Sequence, residues 1–167
     1  MCVHAHSETG GLLEATAEQV DRHLAVNARG TLLLIAEFAR RFRGESGSGR
    51  IVTFTSGLPL AGEIAYAAGK GALEWLTISA AAELAPRGIA VNAIDPGPTE
   101  TGWISDELRE RLLAEAPLGR LGRPEDSAEL VAFLCSDRGG FVTGQVLRCD
   151  GGWSTIRTVR QGRKPRG

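Results

Sequence analysis

The chain has 167 residues, of which 43% are hydrophobic and 23% charged, and its formal net charge at pH 7 is −1. This length fits one domain with a buried core, and a nearly neutral chain has no electrostatic basis for binding nucleic acid. No apolar run approaches the ~18 residues of a membrane-spanning helix, and the first residues show no basic-then-apolar signal sequence. The three cysteines lack a CxxC spacing, which is typical of reduced thiols. We therefore expect a cytoplasmic protein without a membrane or nucleic-acid partner.

The first helix predicted in chain order runs from about residue 16 to residue 42. Thr16 and Gln19 have the spacing of a capping box, and an apolar stripe follows them. Asn27 interrupts this stripe, although its amide side chain competes for backbone hydrogen bonds and disfavours a helix. Structural tolerance and a functional role both remain open for Asn27. No metal site is expected before this helix, because His4 and His6 have no third ligand nearby.

Two β-branched, apolar runs predict buried strands over residues 51–55 and 89–94. The first strand ends at Ser56 and Gly57, and the second ends at Asp95-Pro96-Gly97-Pro98. A helix over about residues 64–85 lies between them and is terminated by a proline and a glycine. Short helices after Ser105 and from Pro124, and a strand over 145–149, complete the predicted elements. We expect a domain over residues 1–153 and a disordered basic tail over 154–167.

This alternation of helices and strands predicts right-handed crossovers around a parallel sheet. Ser56 and Pro96-Gly97 directly follow the carboxyl ends of two of its strands. In an open α/β sheet, ligands bind at that edge. The sequence therefore predicts a binding site there, beside the start of the helix that follows Ser56.

Tyr66 and Lys70 stand four residues apart at the start of this helix, so their side chains share one helix face. A free phenol has a pKa of about 10, and a cation ~4 Å away at an effective dielectric of ~20 favours the phenolate by about 4 kcal/mol. We therefore expect Lys70 to lower the pKa of Tyr66 toward neutrality, where a proton donor or acceptor works best. Taken singly, Tyr66 as a core aromatic and Lys70 as a solvated cation remain alternatives.

Together these motifs resemble the short-chain dehydrogenase/reductase family, and in particular its 3-oxoacyl-thioester reductases. The resemblance runs from about Ser7 to Trp153 and includes Tyr66-x-x-x-Lys70, the preceding serine and the loop after the second strand. It implies a Rossmann-like, doubly wound parallel sheet. It also implies hydride transfer between a nicotinamide cofactor, NAD or NADP, and a small-molecule carbonyl or secondary alcohol.

The resemblance also implies a role for each matching residue. Tyr66 would exchange the proton, and Lys70 would lower its pKa and bind the nicotinamide ribose. Ser56 would hold the substrate oxygen, and Asn27 would anchor a water that links Lys70 to solvent. The residues implied to contact the cofactor are Tyr66, Lys70, Pro96, Gly97, Thr99 and Thr101.

The chain departs from the family pattern in its first residues. The family's TGxxxGxG turn, which receives the cofactor pyrophosphate at a helix N-terminus, has no counterpart here, since Thr9-Gly10-Gly11 lacks a preceding strand and the later glycine. We therefore expect only the C-terminal portion of the fold, contacts to the nicotinamide end alone, and weak or no cofactor binding. The ten-residue interval from Ser56 to Tyr66 is also shorter than the family's usual one.

Two interpretations follow from this departure. The first is an NAD(P)-dependent oxidoreductase of the family. The second is a catalytically incompetent fragment or a non-enzymatic interaction module that lacks the dinucleotide-binding half. Under either, the helices over about 16–42 and 64–85 resemble those that form the family's dimer interface, so a homo-oligomer is expected.

Overall fold

Three parallel strands form a sheet in the computed structural model of the chain, which describes residues 1–57, 62–102 and 104–155. Strand β1 is Gly49–Phe54, β2 is Ile89–Asp95 and β3 is Val146–Arg148, and β2 lies between the other two. The register places Gly49 opposite Ile89. The predicted parallel α/β sheet is therefore confirmed. On the other side of β1, Cys2 adds a single parallel bridge to Thr53.

The first predicted helix is three consecutive segments. Helix α1 spans Ala17–His23, a π-helix spans Leu24–Gly30, and α2 spans Thr31–Arg41. The capping box is present: the Thr16 hydroxyl accepts from the Gln19 amide at 3.3 Å. The expectation of one regular helix is corrected at the π-helix, which contains Asn27 and whose hydrogen bonds span five residues instead of four.

The remaining helices begin and end close to their predicted limits. Helix α3 is Ile64–Leu84 and continues into a 3₁₀ turn, Ala85–Arg87. Helix α4 is Asp106–Glu115, and the Ser105 hydroxyl caps it by accepting from the Leu108 amide at 3.3 Å. Helix α5 is Pro124–Cys135, with proline at its first position, and a 3₁₀ turn, Asp137–Gly139, follows it.

Apolar side chains cover the sheet on both faces. On one face, α2 and α3 pack on alternate strand positions, and this cluster comprises Ile35, Ala39, Ile51, Ala81, Leu84, Ile89 and Val91. On the other face, Leu134 of α5 packs on Val52 and Ile94. Neighbouring residues of one strand thus face opposite layers, as the two-residue period of a strand requires. Helices on both faces make the sheet doubly wound.

Among the described residues, no helix is both long and apolar enough to cross a membrane. Residues 153–155 are helical, and the rest of the predicted basic tail lies outside the described residues. Residues 58–61, which complete the loop between Ser56 and Tyr66, and Trp103 also lie outside them.

Gly88 allows the chain to turn from the end of α3 into β2. Its φ is +69°, and a Cβ at this position would overlap the backbone nitrogen of Gly47. The Gly88 carbonyl accepts from the amides of Gly47 and Gly49 at 3.1 and 3.2 Å. The glycine therefore permits both the left-handed turn and the close approach of the segment that leads into β1.

We expect Gly88→Ala to lower the free energy of unfolding by about 3 kcal/mol, because it adds a backbone clash to left-handed strain. Gly119→Ala is the matched control: Gly119 has a φ of +71° but open space where its Cβ would lie. The control should lose only about 1 kcal/mol. Urea unfolding measures both variants, and equal losses would contradict the proposed close approach.

Candidate active site

Helix α3 places Tyr66 and Lys70 one turn apart at the carboxyl edge of the sheet. Tyr66 is half-buried, whereas Lys70 is only 3% exposed. The Lys70 Nζ lies 5.9 Å from the centroid of the Tyr66 ring and donates to the Phe54 carbonyl at 2.9 Å. The ammonium group therefore contacts both the phenol ring and the last residue of β1.

A second hydrogen bond fixes α3 against the residue that follows β1. The Thr55 hydroxyl donates to the Lys70 carbonyl at 2.9 Å, and both residues are buried. The Thr55 amide in turn donates to the Ile94 carbonyl of β2 at 2.9 Å. Ser56 is the next residue, so this pair of bonds determines where its backbone leaves the sheet.

Burial controls the protonation of the phenol and of the ammonium. It raises the pKa of Tyr66, and the negative charges of Glu63 and Asp95 raise that pKa further. Burial also lowers the pKa of Lys70. The expected fall in the pKa of Tyr66 is therefore wrong for this chain. Loss of solvation is the largest cause of the rise, and two nearby carboxylates add to it.

Asn27 is fully buried in the π-helix, and its carboxamide bonds to one backbone position. Its Oδ1 accepts from the His6 amide at 2.8 Å, and its Nδ2 donates to the His6 carbonyl at 2.9 Å. The Thr31 hydroxyl donates to the Asn27 carbonyl at 2.9 Å. The carboxamide thus ties the first residues of the chain to the π-helix.

Gly69 of helix α3, the residue before Lys70, lies close to the π-helix and to the end of α1. A Cβ on Gly69 would lie 3.2 Å from the Asn27 Nδ2 and 3.1 Å from the His23 carbonyl oxygen. The structure therefore places Asn27 beside the turn of α3 that carries Lys70. Both polar atoms of the buried Asn27 carboxamide are bonded to His6. The role of Asn27 as a water anchor remains a prediction.

The loop after β2 contains the residues predicted to hold the nicotinamide. Gly97 has a φ of +59°, and a Cβ there would lie 2.5 Å from the Asp150 Cβ, so the loop packs against the segment after β3. The Thr99 hydroxyl is 3.2 Å from the carbonyls of both Pro96 and Gly97 and donates to them. Thr101 is exposed at the end of the same loop.

A second segment fixes this loop from the side of α5. The Glu100 amide donates to the Gly122 carbonyl at 2.9 Å, and the Gly122 amide donates to the Pro98 carbonyl at 2.9 Å. These two bonds give Thr99 and Gly122 a strand-like pairing. Hydrogen bonds within the protein therefore hold this loop in place without a ligand.

Asp95 is a further residue of the candidate site, which the sequence pattern marks only as the end of a strand. It is 2% exposed, and its carboxylate accepts from the amides of Gly57 and Gly97 at 3.1 and 3.2 Å. Burial raises the pKa of this carboxyl, and the two amide donors act in the opposite direction. The signal in the sequence was an acidic residue directly after a run of buried apolar positions.

The residues at this edge fit the nicotinamide end of a cofactor. The Lys70 ammonium has three N–H donors, of which Phe54 takes one, and the Pro96–Thr101 loop exposes further polar groups. The TGxxxGxG turn that would receive a pyrophosphate does not occur in the sequence. Within the described ranges, no three His, Cys, Asp or Glu side chains form a metal-binding cluster.

Comparison with known sequences finds a matching family model and relatives that are oxidoreductases. A family model described as enoyl-(acyl carrier protein) reductase matches residues 2–154. The chain is 48% identical over 153 residues to the uncharacterized oxidoreductase YjdA of Bacillus subtilis (strain 168), covering 89% of this chain and 61% of that protein. The chain thus spans about three fifths of that relative's length.

Two solved structures are similar at lower identity. The angucycline C-6 ketoreductase LanV with bound NADP has a TM-score of 0.81 at 29% identity, covering 89% of this chain and 60% of LanV. A 4-hydroxyisoleucine dehydrogenase complexed with NADH has a TM-score of 0.83 at 28% identity, covering 91% of this chain and 67% of that one.

Lys70→Met tests the cost of burying the ammonium. The folded chain binds this proton less tightly than the unfolded chain, so it releases the proton at a pH below the ordinary pKa of 10.5. In that interval the unfolded state binds more protons, and stability rises with pH. We therefore expect the free energy of unfolding of the wild type to rise relative to that of Lys70→Met as the pH increases toward 10.5.

Urea unfolding at several pH values measures this difference. Tyr66→Phe is the control, because the raised pKa of Tyr66 changes stability only as pH approaches and passes the phenol's ordinary value of 10.0. A difference between wild type and Lys70→Met that does not change with pH would show that burial does not disfavour the ammonium.

Proposed function

The chain belongs to the short-chain dehydrogenase/reductase family, and we propose that it carries the catalytic half of an NAD(P)-dependent oxidoreductase that interconverts a carbonyl and a secondary alcohol. The observation that carries this proposal is the contact of one buried ammonium, that of Lys70, with both the Tyr66 ring and the end of β1. That contact brings a proton donor to the carboxyl edge of the sheet, where ligands bind.

In the direction of reduction, Tyr66 is the proton donor. Its phenol is protonated at neutral pH, since an unperturbed phenol already has a pKa of about 10, and the raised pKa makes it a weaker acid in the chain alone. When bound, a reduced nicotinamide supplies the hydride that adds to the carbonyl carbon. Tyr66 then gives its proton to the carbonyl oxygen, Ser56 holds that oxygen, and Lys70 stabilises the phenolate that remains.

Three further proposals concern the cofactor, self-association and location. Pro96, Gly97, Thr99 and Thr101, together with Tyr66 and Lys70, contact the nicotinamide end of NAD or NADP. The chain forms a homo-oligomer through α2 and α3, whose exposed apolar side chains include Leu33, Phe38, Trp75 and Ile78. Its cysteines are free, in keeping with a cytoplasmic protein.

The alternative is a catalytically incompetent fragment that serves as an interaction module. One observation favours it: the edge of β1 away from β2 has a single bridge, at Cys2, within the described part of the chain. An uncovered strand edge is a surface for pairing with another chain. The two proposals differ in one respect that can be measured: only the oxidoreductase requires the Tyr66 hydroxyl for carbonyl reduction.

We expect Tyr66→Phe to lower the rate of NADPH- or NADH-dependent carbonyl reduction at least about 100-fold, because the proton donor is lost while the ring is kept. The assay is the fall in nicotinamide absorbance with a panel of ketones, at one cofactor concentration that is the same for every variant. Phe141→Tyr provides the control, since it adds a phenol at a fully exposed position. It should leave wild-type activity unchanged and should not rescue Tyr66→Phe. Equal rates for wild type and Tyr66→Phe would favour the interaction module.

Cofactor affinity is expected to be weak, because the nicotinamide contacts act without a pyrophosphate turn. Isothermal titration of the 167-residue chain with NADH and NADPH should give dissociation constants above about 100 μM or no measurable heat. Thr99→Ala should weaken any binding that is measured, whereas Thr9→Ala should not. Micromolar binding would show that other residues replace the missing turn.

A further inference from the structure

Asp95 places a buried carboxylate between the two loops that form the candidate site. It is the last residue of β2, where Ser56-Gly57 follows β1 on one side and Pro96-Gly97 continues the chain on the other. Its Oδ2 accepts from the Gly57 amide at 3.1 Å, and its Oδ1 accepts from the Gly97 amide at 3.2 Å. Each carboxylate oxygen therefore bonds to a different loop.

The sheet holds the backbone of Asp95 firmly enough for this side chain to serve as a fixed point. Its carbonyl accepts from the Cys149 amide at 2.8 Å, and the residue pairs with Arg148 of β3. Gly57 is close enough that a Cβ there would lie 2.8 Å from the Asp95 Oδ2. The absence of a side chain at Gly57 is what lets the carboxylate reach the loop amide.

We infer that Asp95 is a positioning residue, whose carboxylate joins the loop after β1 to the loop after β2 and so fixes Ser56 and the nicotinamide-binding loop relative to Tyr66. The link to catalysis rests on the proposed function, whereas the link between the loops does not. Burying a carboxylate at the end of a strand costs free energy, whereas an alanine or serine there would not. The hydrogen bonds from the Gly57 and Gly97 amides offset part of this cost and join the two loops.

The same carboxylate acts electrostatically on Tyr66. Its negative charge, together with that of Glu63, raises the pKa of the phenol. Asp95 is itself under the influence of Asp150, which raises the pKa of the Asp95 carboxyl, and of Arg148, which lowers it. The Glu74 carboxylate also lies close to Gly57, since a Cβ there would be 3.5 Å from its Oε1. Lys70 is the cation next to the Tyr66 ring.

The test uses Asp95→Asn, which keeps the shape of the side chain but replaces one acceptor oxygen with a donor and removes the charge. We expect the Gly57 or Gly97 amide that loses its acceptor to exchange with solvent at least about tenfold faster. The pKa of Tyr66 should fall, and this can be followed directly because Tyr66 is the only tyrosine in the chain. Amide exchange is read by nuclear magnetic resonance, and the phenol by its ultraviolet absorbance.

Two matched variants separate the hydrogen bonds of Asp95 to the loops from the effect of its charge on Tyr66. Glu63→Gln removes the other carboxylate that raises the pKa of Tyr66 but accepts from neither glycine amide, so the phenol pKa should fall while both amides stay protected. Asp137→Asn removes an exposed carboxylate elsewhere and should change neither property. Unchanged exchange at both glycines in Asp95→Asn would overturn the inference.

A measurement on the wild type keeps the inference testable if Asp95→Asn does not fold. As Asp95 is protonated on acidification, the amide resonances of Gly57 and Gly97 should shift together along one titration curve. Separate curves, or no shift, would show that the carboxylate does not join the loops. If the wild type reduces ketones, Asp95→Asn should lower kcat more than it raises KM. If the wild type is inactive, the proposed function fails while the exchange and titration data still decide the role of Asp95.

Discussion

The hydrogen bond from the Lys70 ammonium to the Phe54 carbonyl connects α3 to the sheet, and the arrangement of the candidate site depends on it. It anchors α3 at the carboxyl end of β1, one residue before the Thr55 hydroxyl bonds back to Lys70. With the helix fixed there, Tyr66 lies at the edge of the sheet and Gly69 lies against Asn27. A charged group buried to this degree is costly, so the bond to Phe54 offsets part of the lost solvation.

The site combines three ionisable groups whose burial shifts each toward its neutral form. The pKa of Tyr66 and that of Asp95 are raised, and the pKa of Lys70 is lowered. An unperturbed phenol is already protonated at neutral pH, so the raised pKa of Tyr66 does not add to the donating form and makes the phenol a weaker acid in the chain alone. Desolvation of the phenol, the largest cause of this rise, also explains why a nearby cation did not by itself produce an acidic tyrosine.

Local patterns predicted the elements well, because their signals lie within a few residues. The Thr16 capping box, the Ser105 cap, Pro124 at a helix start and the glycine after α3 all mark observed boundaries. The same patterns did not predict the π-helix around Asn27, which lies against Gly69 of α3, a residue far away in the chain. They also missed the bonds from Asn27 to His6, which join positions far apart in the chain.

The sequence by itself determined the family, the parallel α/β class and the shared helix face of Tyr66 and Lys70, because periodicity and short motifs are properties of neighbouring residues. Only the tertiary structure decided the distance of the ammonium from the phenol, the direction of each pKa shift and the position of Asp95 between two loops. Burial and long-range hydrogen bonds control those properties, and both arise only when distant segments pack together.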